Sequence, residues 1–144
     1  MIRKATLKDT ESIFTLSSNA LDSTFNQDFI NDYIIIDNIY HFFVLEENTN
    51  LLGFIILWES DKYGQIIDLV VTEEQRSKGY GKQLLTYGLD YLATLGVKTV
   101  TLEVKATNLV AIKLYELAGF RLDHTKKNYY GDTDGLFYLK EDLK

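Results

Sequence analysis

The sequence predicts a mixed α/β domain built on one central sheet, and three observations predict it. Two apolar runs of strand length, Tyr40 to Leu45 and Leu51 to Trp58, follow each other across a polar turn and read as a hairpin. Apolar or small residues then recur at intervals of three and four (Leu84, Leu85, Gly88, Leu89, Leu92, Leu95), the spacing of a helix. Thr99 to Val104 next alternates apolar and polar side chains, as a half-buried strand does. A strand, a helix and a strand in that order, from Ile66 to Val104, imply a right-handed crossover and a locally parallel pair.

The remaining elements follow in chain order. Ile2 to Ala5 is a short first strand. Asp9 or Thr10 caps a helix carrying Ile13, Phe14, Leu16 and Leu21 on one broad side. Phe25 to Asn38 reads as a second helix, because Phe29, Ile30, Tyr33 and Ile34 have helical spacing, although Tyr33 to Ile36 is also aromatic and β-branched. Glu47 to Asn50 turns the hairpin, and Asp61 to Gly64 breaks the chain before a strand at Ile66 to Val71. The long helix starts at Gly81 and stops at Gly96. Asn108 caps a short helix that runs to Ala118 and ends at Gly119. Phe120 onward and Gly135 to Leu139 supply two closing strands around a polar loop.

Composition narrows the function classes. At 144 residues the chain has the size of one domain, 46% apolar and 25% charged, as ordinary globular proteins are. Without cysteine there is no disulfide, no thiolate metal site and no cysteine nucleophile. His41 and His124 show no metal-ligand spacing. Fifteen basic residues against 21 acidic ones give a net charge of -6, which suits solubility and a cationic substrate and disfavours nucleic acid, whose binding rests on phosphate neutralisation. The N-terminus lacks the apolar core of a signal peptide, and the longest apolar run is too short to span a bilayer as a helix. The sequence therefore reads as cytoplasmic, with no membrane partner. No proline-rich linker or repeat divides it.

One loop carries the strongest chemical signal. Gln75-Arg76-Ser77-Lys78-Gly79-Tyr80-Gly81-Lys82 joins a strand to a helix. Its glycines let backbone turn tightly and approach a ligand. The first amides of the helix have no internal partner, and the dipole and the basic side chains add positive charge, so an anion such as pyrophosphate suits the site. The nucleotide-hydrolase loop does not fit, since Gln83 follows Gly81-Lys82 and no glycine lies five residues before Gly81. The dinucleotide fingerprint fails at Leu84, where a third glycine is needed. What remains, Arg76-x-x-Gly79-x-Gly81, resembles the acetyltransferase signature for the coenzyme A pyrophosphate.

Residues downstream strengthen that likeness. Leu102 to Asn108, Ala111 to Glu116 and Ala118-Gly119-Phe120 resemble the GNAT superfamily of N-acetyltransferases. Lys126-Lys127-Asn128-Tyr129-Tyr130, with Asp134-Gly135 beyond, is similar to the branch that acetylates the N-terminal alanine of a ribosomal protein. The likeness is strongest from Ile67 to Gly135. It implies a GNAT fold over residues 1–144: a mixed, mostly antiparallel sheet with a splayed parallel pair, flanked by about four helices. It implies acetyl-coenzyme A as cosubstrate, with no metal, and an amine acceptor such as a protein N-terminus, in a monomer or homodimer. Backbone at Leu69, Val70 and Val71 would meet the pantetheine arm. Arg76, Ser77, Lys78, Gly79, Tyr80, Gly81 and Lys82 would form the pyrophosphate loop, and Asn108 would hydrogen-bond the coenzyme. Glu103 matches the general base and Tyr115 the general acid.

Acid–base chemistry agrees with those two roles. An α-amine with a pKa of about 8 is roughly a tenth neutral at pH 7, whereas a lysine near 10.4 is neutral to about one part in a thousand or less. A carboxylate, directly or through water, suffices for the former. A phenol near 10 can protonate a thiolate near 8.5, and the developing oxyanion needs an N–H donor from Leu69 to Val71. Apart from the motif, Glu103 would be a solvated strand residue and Tyr115 a packing aromatic. Lacking cysteine, the chain excludes an acetyl-cysteine intermediate. Trp58, Tyr40 and Phe42 read as core or sheet-face residues, and Tyr129 and Tyr130 equally as strand packing or a peptide-binding edge.

The likeness breaks around the acceptor. Gly131 stands where the branch has proline, Leu136-Phe137-Tyr138 where it has an acidic pair, and Asp68 where it tends to asparagine. A small amine acceptor, such as a polyamine or an aminoglycoside, is the competing reading within the same chemistry. A catalytically silent coenzyme A sensor is the competing reading outside it.

Overall fold

The computed structural model describes residues 1–19, 27–36, 38–75 and 78–143. Leu21 and Phe25, expected on the first two helices, and Arg76 and Ser77 of the anion loop lie outside the described residues. The chain runs β1 (Ile2–Lys4), α1 (Thr10–Ser18), α2 (Gln27–Tyr33), β2 (Tyr40–Glu47), β3 (Asn50–Ser60) and β4 (Tyr63–Val71). It continues through α3 (Tyr80–Thr94), β5 (Thr99–Lys105), α4 (Leu109–Leu117), β6 (Arg121–Lys126) and β7 (Gly135–Lys140). The seven strands form one sheet in the order β1-β2-β3-β4-β5-β7-β6, antiparallel throughout except for β4 and β5. The predicted mixed sheet, with its parallel pair and, among the described residues, four α-helices, is thus the one observed.

The continuous apolar runs of β2 and β3 have a physical cause: both of their faces are covered. Phe43, Leu45, Ile55 and Leu57 pack under α3 with Leu84, Leu85 and Leu92. Phe42, Val44, Phe54 and Ile56 face the other way, against Ile13 and Ile30 of α1 and α2. A strand buried on both sides loses the period-two alternation. Strand β5 keeps it, with Val100, Leu102 and Val104 buried and Thr101 and Glu103 exposed.

Both hairpins are tighter than the sequence suggested. Glu47 and Asn50 pair with each other, so the turn shrinks to Asn48 and Thr49 at φ 52° and 66°. Two left-handed residues in succession match the twist of the flanking strands. Tyr63 and Gly64, read as part of a break, are strand residues, and only Asp61 and Lys62 turn the chain. That correction matters, because Tyr63, Gly64 and Gln65 are the β4 residues that pair with Thr99, Val100 and Thr101 of β5.

The parallel pairing ends there. Ile56 and Leu57 are consecutive on β3, yet they oppose Asp68 and Ile66, leaving Ile67 as an extra residue on β4. Such a bulge bends its strand. Beyond it, β4 stays on β3 while β5 stays on β7 up to the Lys105–Gly135 pair. The two parallel strands therefore part, and a gap opens in the middle of the sheet.

Near the N-terminus, Asp9 holds the N-cap position of α1 but its carboxylate does not cap the helix. It accepts from Arg3 Nη1 and Nη2 at 2.9 and 3.0 Å and from the Thr6 amide at 2.8 Å. Arg3 also donates to Glu46 at 3.0 Å, which ties β1, β2 and the start of α1 together.

Candidate active site

A cavity of about 880 Å³ fills the gap between the parted strands. Ile66 to Val71 of β4 line one side, and Glu103 and Val104 of β5 with Thr107 and Asn108 line the other. Gly79, Gly81 and Lys82 close one end and α4 covers the flank. A volume of this order suits a ligand of cofactor size.

The start of α3 is where the sequence places the candidate anion loop. Gly79 sits at the N-cap with φ 84°, a left-handed conformation, and among the described residues no side chain caps the helix. A Cβ on Gly79 would meet nothing within 4 Å, so glycine is required there by conformation rather than by space. The first amides of α3 thus lack the usual side-chain acceptor, and Lys82 adds charge from the same turn. Lys78 and Tyr80, expected in the same loop, do not line the cavity. Tyr80 packs against the core, and its hydroxyl donates to Glu47 at 3.2 Å. The Glu47 charge pushes its phenol pKa up.

Strand β4 presents backbone to the gap. The Thr72 amide bonds to Leu52 O at 2.8 Å. By the period of two, Val70 also directs its backbone toward β3, while Leu69 and Val71 turn theirs toward the gap. The Leu69 amide donates to Asp68 Oδ1 at 3.0 Å. An incoming carbonyl oxygen would therefore share or displace that contact at Leu69.

Helix α4 positions the remaining candidates. Asn108 caps it as expected, its Oδ1 accepting from the Ala111 amide at 3.2 Å. With Oδ1 so used, a hydrogen bond from Asn108 to a ligand would come from Nδ2. Tyr115 is 7% exposed, lines the cavity and meets the Phe120 ring edge-on at 5.9 Å. The Phe120 amide donates to Tyr115 O at 3.0 Å and locks the turn at Gly119, whose φ is 97°. Tyr138 fastens α4 to β7 by donating to Glu116 at 2.9 Å; burial and then Glu116 raise the Tyr138 pKa. Across the cavity Glu103 is exposed, and Tyr129 donates to its Oε2 at 3.5 Å.

The structure therefore brings Leu69, Val70, Val71, Gly79, Gly81, Lys82, Glu103, Asn108 and Tyr115 to one cavity. Sequence reasoning missed Phe29, Gln65 and Lys113; Tyr40, read as a core or sheet-face residue, packs against the core and lines the cavity as well. Tyr40 meets Phe29 and Tyr33 ring to ring at 5.4 and 4.7 Å, and that cluster flanks the cavity. Tyr130 lines it as well, from the loop between β6 and β7 rather than from a strand. For Lys113 a signal existed: α4 is apolar nearly all round, so a lysine on it stands out.

Among the described residues no helix is long and apolar enough to cross a membrane, and no group of His, Asp and Glu is arranged to hold a metal.

A mixed sheet whose parallel pair splays beside a helix start suits an extended, anionic ligand. The sequence profile of the acetyltransferase (GNAT) family matches residues 7–120, and the chain belongs to that family. It is 36% identical over 93 residues to the [ribosomal protein bS18]-alanine N-acetyltransferase of Escherichia coli K12, a match spanning 65% of this chain and 63% of that relative. Two crystal structures share the fold over the whole chain. The Ard1 protein of Thermoplasma volcanium superposes with a TM-score of 0.90 at 26% identity, covering 98% of that chain. The ribosomal-protein-S18-alanine N-acetyltransferase of Escherichia coli superposes with a TM-score of 0.89 at 24% identity, covering 94% of that chain.

Proposed function

We propose that residues 1–144 act as one domain that moves an acetyl group from acetyl-coenzyme A to a primary amine, by direct attack in a ternary complex. A protein N-terminal α-amine is the favoured acceptor. One observation carries this reading: a single cavity joins the uncapped amides of α3, the parted backbone of β4, and the side chains of Tyr115 and Glu103. The α3 amides and Lys82 hold the pyrophosphate, with Arg76, Ser77 and Lys78 completing the loop. Leu69 to Val71 receive the pantetheine arm as a further strand would be received, and Asn108 donates to it.

The chemistry then follows from two side chains. Glu103 takes a proton from the acceptor ammonium, directly or through water, and the neutral nitrogen attacks the thioester carbon. Backbone amide on β4 stabilises the oxyanion. Tyr115 gives its proton to the departing sulfur as the carbon–sulfur bond breaks, and the second proton leaving the nitrogen restores the phenol through solvent. The bS18-alanine relatives support an α-amine, which needs only a weak base. Asp68 and Glu103 on the cavity wall also suit a small polyamine, the second reading.

Incubation with acetyl-coenzyme A and a panel of N-terminal peptides, spermidine and lysine-containing peptides, read by mass spectrometry, tests the assignment. Acetylation at peptide N-termini is expected. Turnover on spermidine alone would replace the favoured acceptor with the second reading, and turnover on none would overturn both.

A further inference from the structure

The Asn128-Tyr129-Tyr130 run and the Asp134-Gly135 pair have no part in the roles above, yet the structure folds them into one mount beside Glu103. They span the loop between β6 and β7. Three bonds fix that loop. The Asn128 amide donates to Asp134 Oδ1 at 3.0 Å, the Tyr130 amide to Thr133 O at 2.9 Å, and the Ala106 amide, just beyond β5, to Asp134 O at 2.9 Å. Gly135 leaves room for the Tyr129 side chain, since a Cβ there would stand 2.8 to 3.1 Å from Tyr129 Cδ2, Cβ and Cγ. Phe137 meets the Tyr129 ring edge-on at 5.3 Å, and Lys126 Nζ stands 5.4 Å from the ring centroid. Phe137 also pairs with Glu103 across β7 and β5, so those two share one face of the sheet. The phenol held in this way is the one that donates to Glu103 Oε2 at 3.5 Å. Tyr130 lines the cavity, whereas Tyr129 does not. Tyr129 therefore reaches the site through Glu103.

We infer that Tyr129 is a positioning residue, which holds the Glu103 carboxylate toward the acceptor nitrogen. This rests on the reading of Glu103 as the base. Glu103 is exposed, and a glutamate in water samples many rotamers, so an unguided base there would spend much of its time pointing elsewhere. One donor on a fixed ring narrows that set and supplies the third group that orients a base. The 3.5 Å separation is long for an O–H···O bond, and contacts to a catalytic base commonly shorten only when the acceptor is in place. Around the pair, Lys126 lies over Tyr129 and Phe137, Lys105 over Tyr130, and His124 stacks on Phe137 at 4.6 Å. Asp68, Lys113 and Tyr115 line the same cavity as Glu103. Between pH 7 and pH 9 ordinary lysines and carboxylates hold one charge state and histidine is mostly neutral, so an α-amine is the group that titrates.

Steady-state acetylation of an N-terminal peptide from pH 7 to pH 9, in Tyr129→Phe, Glu103→Gln and the double variant, tests the assignment. Tyr129→Phe removes one oxygen from a side chain that is 44% exposed, so the variant should fold as the wild type does. Its kcat should fall about tenfold at pH 7, the worth of one hydrogen bond, with the acceptor KM unchanged. By pH 9, where the amine needs no base, kcat should return close to the wild-type value. In the Glu103→Gln background the same change should cost nothing, because a residue that acts through Glu103 has nothing left to act on. A loss that stays constant with pH, or that multiplies with the loss in Glu103→Gln, would overturn the inference. So would full activity of Tyr129→Phe at pH 7, or a raised acceptor KM with kcat unchanged, which would make Tyr129 a contact for the acceptor. If Glu103→Gln itself lost activity equally at every pH, the base assignment would fall and this inference with it. A pH-dependent loss in Glu103→Gln alone would strike the inference and leave the base in place.

Discussion

Removing one oxygen atom tests the proposed acid most sharply. Tyr115→Phe keeps the ring, its edge-on contact with Phe120 and the backbone bond that closes α4. Only the hydroxyl is lost, so stability should change by about 1 kcal/mol or less, the net value of one hydrogen bond. The ring is 7% exposed and fills the same space, so the cavity keeps its shape and coenzyme A should bind as to the wild type. Turnover should behave differently. A positioned proton donor contributes about 10²- to 10⁴-fold. The leaving thiolate, with a pKa of about 8.5 by analogy with cysteine, departs tolerably without help, which places the loss near 10²-fold. The assay pairs thiol release in saturating acceptor with calorimetry of coenzyme A. Unchanged turnover would remove Tyr115 as the acid. A parallel loss of affinity and turnover would make it a packing residue that shapes the cavity.

Three other perturbations separate the remaining roles. Glu103→Gln should lower turnover most at low pH. An α-amine of pKa about 8 goes from roughly a tenth to nine tenths neutral between pH 7 and pH 9, so the defect should shrink about tenfold across that range; a defect constant with pH would argue against a base. Gly81→Ala places its Cβ at ordinary contact distance from Leu114, so melting temperature should hold or rise, given alanine's advantage of about 1 kcal/mol in a helix. Coenzyme A affinity should nevertheless fall, because the methyl group stands where phosphate approaches. Equal affinity would place the pyrophosphate elsewhere. Asp9→Asn should cost about 1.5–3 kcal/mol in denaturant titrations by weakening the charged bonds to Arg3. Those bonds hold the Asp9 pKa below its usual value. Wild-type stability from this group is therefore complete above about pH 5 and declines as pH falls through and below about 4. That portion of the acid sensitivity should be missing from the variant.

Local chemistry made much of the fold legible. The order of elements followed from periodicity, the ends of α3 and α4 from Gly96, Asn108 and Gly119, and the anion loop from two glycines before a leucine-rich helix. Sequence likeness supplied Glu103 and Tyr115 as a pair. At Tyr63 and Gly64 a contact between distant strands overruled a local preference. Tyr63 and Gly64 look like turn residues, yet pairing with Thr99 and Val100 makes them strand. Asp9 takes the N-cap position as read, with its carboxylate engaged by Arg3 and Thr6 and not by the helix. Tyr40 packs on the sheet face as read, and its place beside Phe29 also puts it at the cavity wall.

The sequence by itself determined the order of strands and helices and singled out one loop as the candidate for an anion, because hydrophobic period, capping residues and glycine conformations act over a few positions. Only the tertiary structure decided that β4 bulges at Ile67 and parts from β5, that Tyr115 and Glu103 face one space, and that Lys113 joins them. Those facts depend on strand register and on which helix face meets which neighbour. Both are set by side chains far apart in the chain, where no local pattern records them.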